Sequence, residues 1–599
     1  MKKITTIIII FAAFISVFSC DLTENQQATA DRDMIFSSET GLQTYVYSFY
    51  DYMLPTSGNA FRQDKMSDYS ANAQLSTYES GAYTTETSDS WSWSDLRNIN
   101  YFLKYNTNEK IDETVRNNYN GIARFFRAYF YFQKLVKYGE VPWIDEPLEN
   151  DDDRLYAARD GRDVIIGHII DDLEYAYNNI TETEITPNSN TINKWTAEMF
   201  KSRVCLFEAS WGKYHANTNY VKGCTVTSDE LYKDAADAAE MVIDNSPYSI
   251  YTGTTYSGGR GSYRELFISD DAVTDEVMLA ISLDATLRMG EQNWWFNSSS
   301  YGVQLSMARP FALTYLNRDG TFYNPKNSDG SYKNFVQETS GRDLRLNQTI
   351  RGADYTCKNS SGEYVAASAN FTGLTLTGYQ YTKYVMDDVS IDDGSKNVND
   401  IPIFRYAEVL LNYAEAKAEL GTLTNEDWSK TIGMLRRRAG ITGGDLDHKP
   451  TVIDSYLQKT FYPDVTDPVI LEIRRERTCE LCLEGVRMMD LKRWACGSLW
   501  KNLPWTGVYI PALDTPIDMN GDGTYDVFFT KDADYSGEYK SICVHLNNIQ
   551  TVKASDDDPD GGYLYDNETA RGWNDNMYLY PIPAQVIAKN PNIKQNPGW

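Results

Sequence analysis

Phe404-Arg405-Tyr406-Ala407-Glu408-Val409-Leu410-Leu411-Asn412-Tyr413-Ala414-Glu415-Ala416 is the stretch whose pattern decides the fold. Across residues 402–420, Ile403, Tyr406, Ala407, Leu410, Leu411, Ala414 and Ala418 recur at 3, 4, 7 and 8 spacing. That period places them on one face of a helix. Gly421 ends the run, residues 425–439 form its partner, and residues 467–495 make another long helical region. Helices paired through short turns in this way predict tetratricopeptide-like packing.

The same period runs through the N-terminal half. It begins near Thr40 with Leu42, Val46, Phe49, Tyr50 and Met53, lapses into Ser/Thr/Tyr-rich loops up to about Ser90, and resumes over residues 94–106. Residues 112–138 form a strong helix whose apolar face carries Ile122, Phe125, Phe126, Tyr129, Phe130, Phe132 and Leu135, and Gly139 stops it. Further helices are predicted over 160–179, 194–214 and 229–244. In the last of these Ala235, Ala236, Ala238 and Ala239 let a neighbour approach closely. From Pro247 to Asn399 the period is lost, Gly, Ser, Asn and Tyr dominate, and only short strand-like runs such as Val277–Leu283 appear. A segment of that length is too long for a plain loop and reads as an inserted lobe. Residues 497–580 are again rich in Pro, Gly, Asp and Tyr. The expected fold is therefore mainly α: tetratricopeptide-like helical pairs over 38–246 and 401–599, with a loop-rich inserted lobe over 247–400 containing short β-hairpins.

The N-terminus gives a location. Lys2 and Lys3 precede an apolar run from Ile7 to Phe14, and Ser16-Val17-Phe18-Ser19-Cys20 follows. A basic start, an apolar stretch too short to span a bilayer and a small residue before the cut make residues 1–19 a signal peptide. Cys20 directly after the cut resembles the bacterial lipobox, with Phe18 in place of the usual Ala or Ser. Residues 20–37 then serve as lipid anchor and tether, and acyl chains on Cys20 make the anchoring stable. No later segment holds eighteen uninterrupted apolar residues.

Several separated segments resemble the SusD/RagB family of outer-membrane nutrient-binding lipoproteins. They are Arg124-Phe125-Phe126-Arg127-Ala128-Tyr129-Phe130-Tyr131-Phe132 running into Tyr138-Gly139-Glu140-Val141-Pro142-Trp143, the 404–416 stretch, and Arg436-Arg437-Arg438-Ala439-Gly440. Ile473-Arg474-Arg475-Glu476-Arg477 follows, with Glu480-Leu481, Glu484-Gly485, Arg487, Asp490-Leu491 and Arg493-Trp494. Tyr580-Pro581-Ile582-Pro583 and Gln595-Asn596-Pro597-Gly598-Trp599 close the chain. The resemblance implies a SusD-like scaffold of helical pairs with the ligand site in a variable lobe. It also implies capture of oligosaccharide at the cell surface and delivery to a TonB-dependent, SusC-like outer-membrane barrel, with the protein facing the exterior. A peptide-binding member of the same type of complex is the nearest alternative. A secreted glycoside hydrolase and a purely structural surface protein are the alternatives from other classes.

Composition narrows the partners. A net charge of −28 argues against nucleic acid or bare anionic lipid as the main partner. Eight cysteines, Cys20 among them, show no regular disulfide framework, and a chain this long builds a core without one. The 44 tyrosines and 13 tryptophans exceed what a core readily absorbs, since each buried hydroxyl needs a partner, and exposed flat rings stack on sugars.

Glu476, Glu480 and Glu484 lie four apart and share a helical face, with Arg477, Arg487 and Asp490 within reach along the same helix. Such a ladder fixes helix packing, whereas a glycosidase needs two carboxylates facing across a cleft. No Gly-x-Ser-x-Gly elbow is present, and none of His168, His215, His448 and His545 sits in a zinc-protease motif. No enzyme is expected. Cys479-Glu480-Leu481-Cys482 is a CxxC without the second pair that a zinc ribbon needs, and reads as two buried thiols. Asp518-Met519-Asn520-Gly521-Asp522-Gly523 offers oxygen ligands at alternate positions. Asp518, Asn520, Asp522 and Asp526 are therefore candidate ligands for a structural Ca2+, with an Asx-rich turn as the other reading. The twelfth position would be Phe529, so the loop is not an EF-hand. The candidate ligand-binding residues are Trp91 and Trp93 ahead of the 94–106 helix, Trp294, Trp295 and Tyr301 in the lobe, and Asp68 as a polar contact.

Overall fold

The computed structural model describes residues 32–599 apart from 89, 187–189, 222–224, 547–550, 556–557 and 566–570, and only the backbone of 553–555, 558–561 and 565. The signal peptide, Cys20 and the tether up to residue 31 lie outside the described residues.

The N-terminal helices are α1 (Glu39–Met53), α2 (Ser94–Tyr105), α3 (Glu113–Tyr138), α4 (Arg162–Asn179), α5 (Lys194–Tyr214) and α6 (Ser228–Asn245). α1 and α2 pack on α3, α3 on α4, α4 on α5 and α5 on α6, so each helix rests on its predecessor as in tetratricopeptide repeats. Local chemistry sets the ends. Asp112 accepts the Thr114 amide at the start of α3, and Gly139 closes it at φ 73° with its N–H on the Leu135 carbonyl. A capping box of Thr227 and Glu230 opens α6. The alanines of α6 allow the expected close approach: Ser202 Oγ on α5 donates to the Ala235 carbonyl at 2.8 Å.

The 402–420 run differs from expectation in its first turn. Ile401–Arg405 is a strand, β2, paired antiparallel with β1 (Val277–Ile281), and the helix α8 is Tyr406–Glu419. Ile403 therefore belongs to a sheet and not to the helical face. α8 packs on α6 and α5 and receives α11 (Pro468–Glu480). The partner over 425–439 breaks at Thr431 into α9 (Asn425–Lys430) and α10 (Ile432–Arg438). The region 467–495 breaks as well, into α11 and α12 (Arg487–Arg493), across a turn with Leu483 at φ 66° and Gly485 at φ 79°. Tertiary hydrogen bonds hold that turn: the Leu483 amide donates to Tyr69 Oη at 2.8 Å and the Gly485 amide to Asp64 at 2.9 Å.

The lobe holds the expected hairpin, Thr356–Lys358 against Tyr364–Ala366, together with β1 and several short helices such as Ser262–Ile268 and Leu344–Thr349. The C-terminal region forms two three-stranded sheets that its composition did not announce. One orders Cys543–His545, Val527–Thr530 and Pro516–Ile517; the other orders Thr551–Ser555, Asp558–Tyr565 and Thr506–Ile510. One apolar core lies within the helices, and a second gathers Tyr263, Phe267, Phe296 and Tyr384 of the lobe with Leu471, Cys479, Cys482 and Trp494 of the C-terminal region.

Between the two cores runs a buried ion network. Glu480 meets Arg345 at 2.8 Å and Arg405 at 2.6 Å, and also contacts Arg438. Glu276 binds Arg405 at 2.9 Å and Arg438 at 3.2 Å, and Arg436 binds Glu476 at 3.0 Å. Burial would raise the Glu480 carboxyl, but Arg438, Arg405 and Arg345 overturn that and hold it well below the usual carboxylate range. Glu476, Glu480 and Glu484 of the 474–493 ladder thus bind arginines from other segments of the chain and tie the lobe to the helices, while Asp490 pairs with Arg477 and Arg493 of the ladder itself.

Candidate functional site

The segment 47–62 and the lobe segment 280–301 meet at the surface, and the meeting place carries ring faces and polar groups together. α7 (Gln292–Phe296) is one turn of helix whose two adjacent tryptophans meet the same Tyr301 ring, Trp294 face to face and Trp295 edge-on at 5.9 Å, and differ in burial. Trp294 is half-buried and stacks on Tyr301, with ring centroids 3.9 Å apart and planes 19° apart. Trp295 is 7% exposed and packs in the second core, under the Arg62 guanidinium at 4.0 Å and against Phe61. Its place among the ligand candidates is corrected by that burial.

Polar groups tie the pair down. Tyr301 Oη donates to Glu291 at 2.6 Å and accepts from Arg62 at 3.0 Å, and Arg62 also pairs with Glu291. A few residues along both segments, a cavity of about 260 Å³ is lined by Tyr47, Tyr50, Asp51, Asn190, Ser282 and Arg288. Tyr47 is 41% exposed and meets Tyr50 edge-on. Asn190 donates to Asp400 at 3.3 Å, but its carbonyl oxygen has no hydrogen-bond partner among the described residues. Ring faces, carboxylates, guanidiniums and amides along one seam are the groups that grip a ring bearing hydroxyls. Sequence reasoning missed Tyr47, Asp51, Arg62 and Arg288. The exposed i, i+4 spacing of Tyr47 and Asp51 on α1 was the available signal.

The other candidates are placed elsewhere. Trp91 and Trp93 meet edge-to-face at 5.4 Å and rest on α3, Trp91 against Tyr138 at 5.0 Å and Trp93 against Phe130 at 5.6 Å. Both are half-buried, and they share no ring contact with Trp294 or Trp295. Asp68 is 1% exposed and holds Arg487 through both carboxylate oxygens, so it is an interior ion pair and not a ligand contact.

The 518–526 loop satisfies its own groups. Both Asp518 oxygens accept loop amides, from Gly521 at 2.7 Å and Gly523 at 2.8 Å. Asp522 accepts the Thr524 amide, and Asp526 turns away to Ser368 Oγ and the Met519 amide. No group of three or more His, Cys, Asp or Glu side chains converges on a cation-sized point among the described residues. In this conformation the loop forms an Asx-rich turn, with Asp518, Asn520 and Asp522 each accepting loop amides. Cys479 and Cys482 are buried and free, as two thiols in a core would be.

Residues 276–599 match the sequence pattern of the SusD family. SusD-like protein P25 of Formosa agariphila is 21% identical over 529 residues, which is 82% of this chain and 90% of that one. Among solved structures, a SusD-like protein of Bacteroides fragilis superposes with a TM-score of 0.67 at 21% identity, covering 95% of this chain and 98% of that one. A SusD-like carbohydrate-binding protein of the same species gives 0.65 at 18% identity, over 94% and 100%. Surface glycan-binding protein A of Bacteroides fluxus gives 0.53 at 17%, over 94% and 99%.

Proposed function

The chain belongs to the SusD family, and from that membership we propose that it is a non-catalytic, glycan-binding lipoprotein of the cell surface. It captures oligosaccharide by ring stacking and hands it to a TonB-dependent, SusC-like barrel in the outer membrane. Cys20 carries the lipid, the helical scaffold supports the platform, and the seam between segments 47–62 and 280–301 receives the sugar. The observation that carries the reading is the partly exposed Trp294–Tyr301 stack, fixed by Glu291 and Arg62 on the same two segments that line the cavity of Tyr47, Asp51, Ser282 and Arg288. Two solved relatives described as carbohydrate- or glycan-binding support the ligand class. The absence of catalysis is supported by the ladder carboxylates: Glu476 and Glu480 are buried and matched by arginine, and Glu484 pairs with Arg405 and Lys383.

The test is isothermal titration of the lipid-free protein against a panel of oligosaccharides, with peptides of similar length beside it. Saturable binding of one glycan class, weakened in Trp294→Ala and without release of reducing ends, is the expected result. Saturable binding of peptides alone would move the protein to the peptide-loaded branch, and turnover would overturn the non-enzyme reading. Co-purification with a membrane barrel, lost in Cys20→Ala, tests the handover.

A further inference from the structure

A second cavity, of about 540 Å³, opens between α3 and α12 on the side of the scaffold that carries Trp91 and Trp93. Its size falls within the roughly 300–1,000 Å³ of small-molecule sites. Methionines from three segments, Met53, Met66, Met488 and Met489, line its walls. Tyr78 and Tyr580 form an aromatic stack at its edge, with centroids 4.0 Å apart and planes 5° apart.

Its described lining is rich in lysine. The chain carries 84 acidic against 56 basic residues, yet Lys134, Lys137 and Lys492 all line this cavity, and among the described residues Asp95 is the one acidic side chain that lines it. The Lys492 and Lys137 ammoniums lie 5.1 and 4.6 Å from the same Tyr580 ring. Lys134 sits between the Trp93 and Phe130 rings, at 5.5 and 5.1 Å, and donates to the Ser90 carbonyl at 3.1 Å.

Lys492 is the telling residue. It is 4% exposed, and its ammonium donates to the Tyr78 hydroxyl at 3.2 Å. It makes no ion pair among the described residues, whereas Arg487 and Arg493 on the same helix each hold carboxylates. An ammonium has three donors, and buried charges are ordinarily paired. Burial and the nearby Lys137 bring Lys492 down to about 7, and burial with Lys137 brings Lys134 down to about 8. An anion entering the cavity would supply the missing partner, and its sugar ring would have Tyr580 and the methionines to pack against.

We propose that this cleft is a second carbohydrate subsite, which takes a sugar unit bearing a carboxylate or a sulfate ester. The proposal rests on the glycan-binding reading above, but it concerns a different face from the Trp294–Tyr301 platform and adds selectivity for charged chains. Lys492 and Lys137 meet the anion, Lys134 closes the cavity beside Trp93, and the stacked tyrosines bind the ring.

The experiment titrates the native protein with oligogalacturonides, a sulfated glycosaminoglycan oligosaccharide, a neutral oligosaccharide of equal length, and inorganic sulfate. Each titration is repeated on Lys492→Met, which keeps the volume, on Lys137→Gln and on Trp294→Ala, with thermal melts to show that each variant is folded. The expected result is tighter binding of at least one charged oligosaccharide than of the neutral one, weakened about tenfold or more in Lys492→Met and in Lys137→Gln and weakened by added salt. The two lysine variants should leave neutral-glycan affinity unchanged. A carboxylate-only or sulfate-only preference identifies which anion the cleft reads. Equal binding of charged and neutral chains, or full-strength charged binding in both lysine variants, would overturn the subsite while leaving the platform standing. Inorganic sulfate reproducing the whole effect would overturn the saccharide assignment. Loss of all glycan binding in Trp294→Ala would likewise remove the second subsite, and a native protein that binds no glycan would remove both readings.

Discussion

Arg487 grips Asp68 across 419 residues of sequence, donating Nε to one carboxylate oxygen and Nη2 to the other, each at 2.7 Å. Asp68 is 1% exposed and Arg487 is 2% exposed, and Thr478 Oγ1 and Tyr462 Oη accept two more of the guanidinium donors. The pair pins the N-terminal loop region to α12. Asp68→Asn leaves Arg487 charged and buried without its counter-ion. The expected loss is about 3–5 kcal/mol of unfolding free energy, read by urea denaturation, with ligand affinity of the folded fraction unchanged. A normal urea midpoint with weakened glycan binding would return Asp68 to the ligand site.

The adjacent tryptophans should separate in experiment as they do in burial. Trp294→Ala removes one ring of the half-exposed stack on Tyr301 and should weaken glycan binding about tenfold, with a small change in melting temperature. Base–aromatic stacking, worth about 1–3 kcal/mol, gives the scale. Trp295→Ala opens a cavity in the second core and removes the ring beneath Arg62, at a cost of about 3–5 kcal/mol of stability. Titration and thermal melts on the two single variants decide the matter. Equal effects from both would mean that the difference in burial between the two rings does not divide ligand contact from core packing.

What the chain made legible in advance was whatever depends on near neighbours. α5 spans Lys194–Tyr214 as its period indicated, and Gly139 ends α3 because a single positive φ is enough. Ile403 was misplaced because its strand exists through pairing with Val277–Ile281, more than a hundred residues away. The break between α11 and α12 is equally nonlocal, being held by Tyr69 and Asp64 on the turn amides. The 474–493 ladder was readable as structural, but its partners Arg345, Arg405, Arg436 and Arg438 were not, since periodicity says nothing about which distant segment docks. The site suffered most. Trp294 and Trp295 both read as ligand candidates, and the helical turn that buries only Trp295 is set by contacts of the lobe that the sequence does not display.

The 518–526 loop gives a test in which the cation and the turn readings diverge. Asp518 accepts the Gly521 and Gly523 amides, with those glycines at φ 80° and 89°. Asp518→Ala should lose about 1 kcal/mol as those two exposed bonds go. Chelator should leave the native melting temperature where it was. A rise with millimolar calcium that disappears in Asp522→Ala would make the loop a cation site, and its Asp518 oxygens would then have to leave the amides they hold.

Lys492 links stability to pH with a definite sign. Its folded pKa, lowered to about 7 by burial and by Lys137, lies below the ordinary lysine value near 10.5. Between those two values the unfolded chain holds a proton on this residue that the folded chain lacks, so stability rises with pH across that window. Below about 7 both states are charged, and the folded state bears the full penalty of the buried ammonium. Lys492→Met does not titrate and keeps the volume. It should therefore be more stable than the native protein, most clearly near pH 6, with the advantage shrinking towards pH 9. Tyr78 and Tyr580, the other titratable groups against the ammonium, are both pushed upward by burial and stay neutral throughout. A charged sugar that pairs with Lys492 should reverse the order, stabilising the native protein at pH 6 and leaving the variant unmoved. Melts at pH 6 and pH 9, with and without oligogalacturonide, measure both halves of the argument. A variant less stable than the native protein at pH 6 without ligand would show that Lys492 already has its counter-ion.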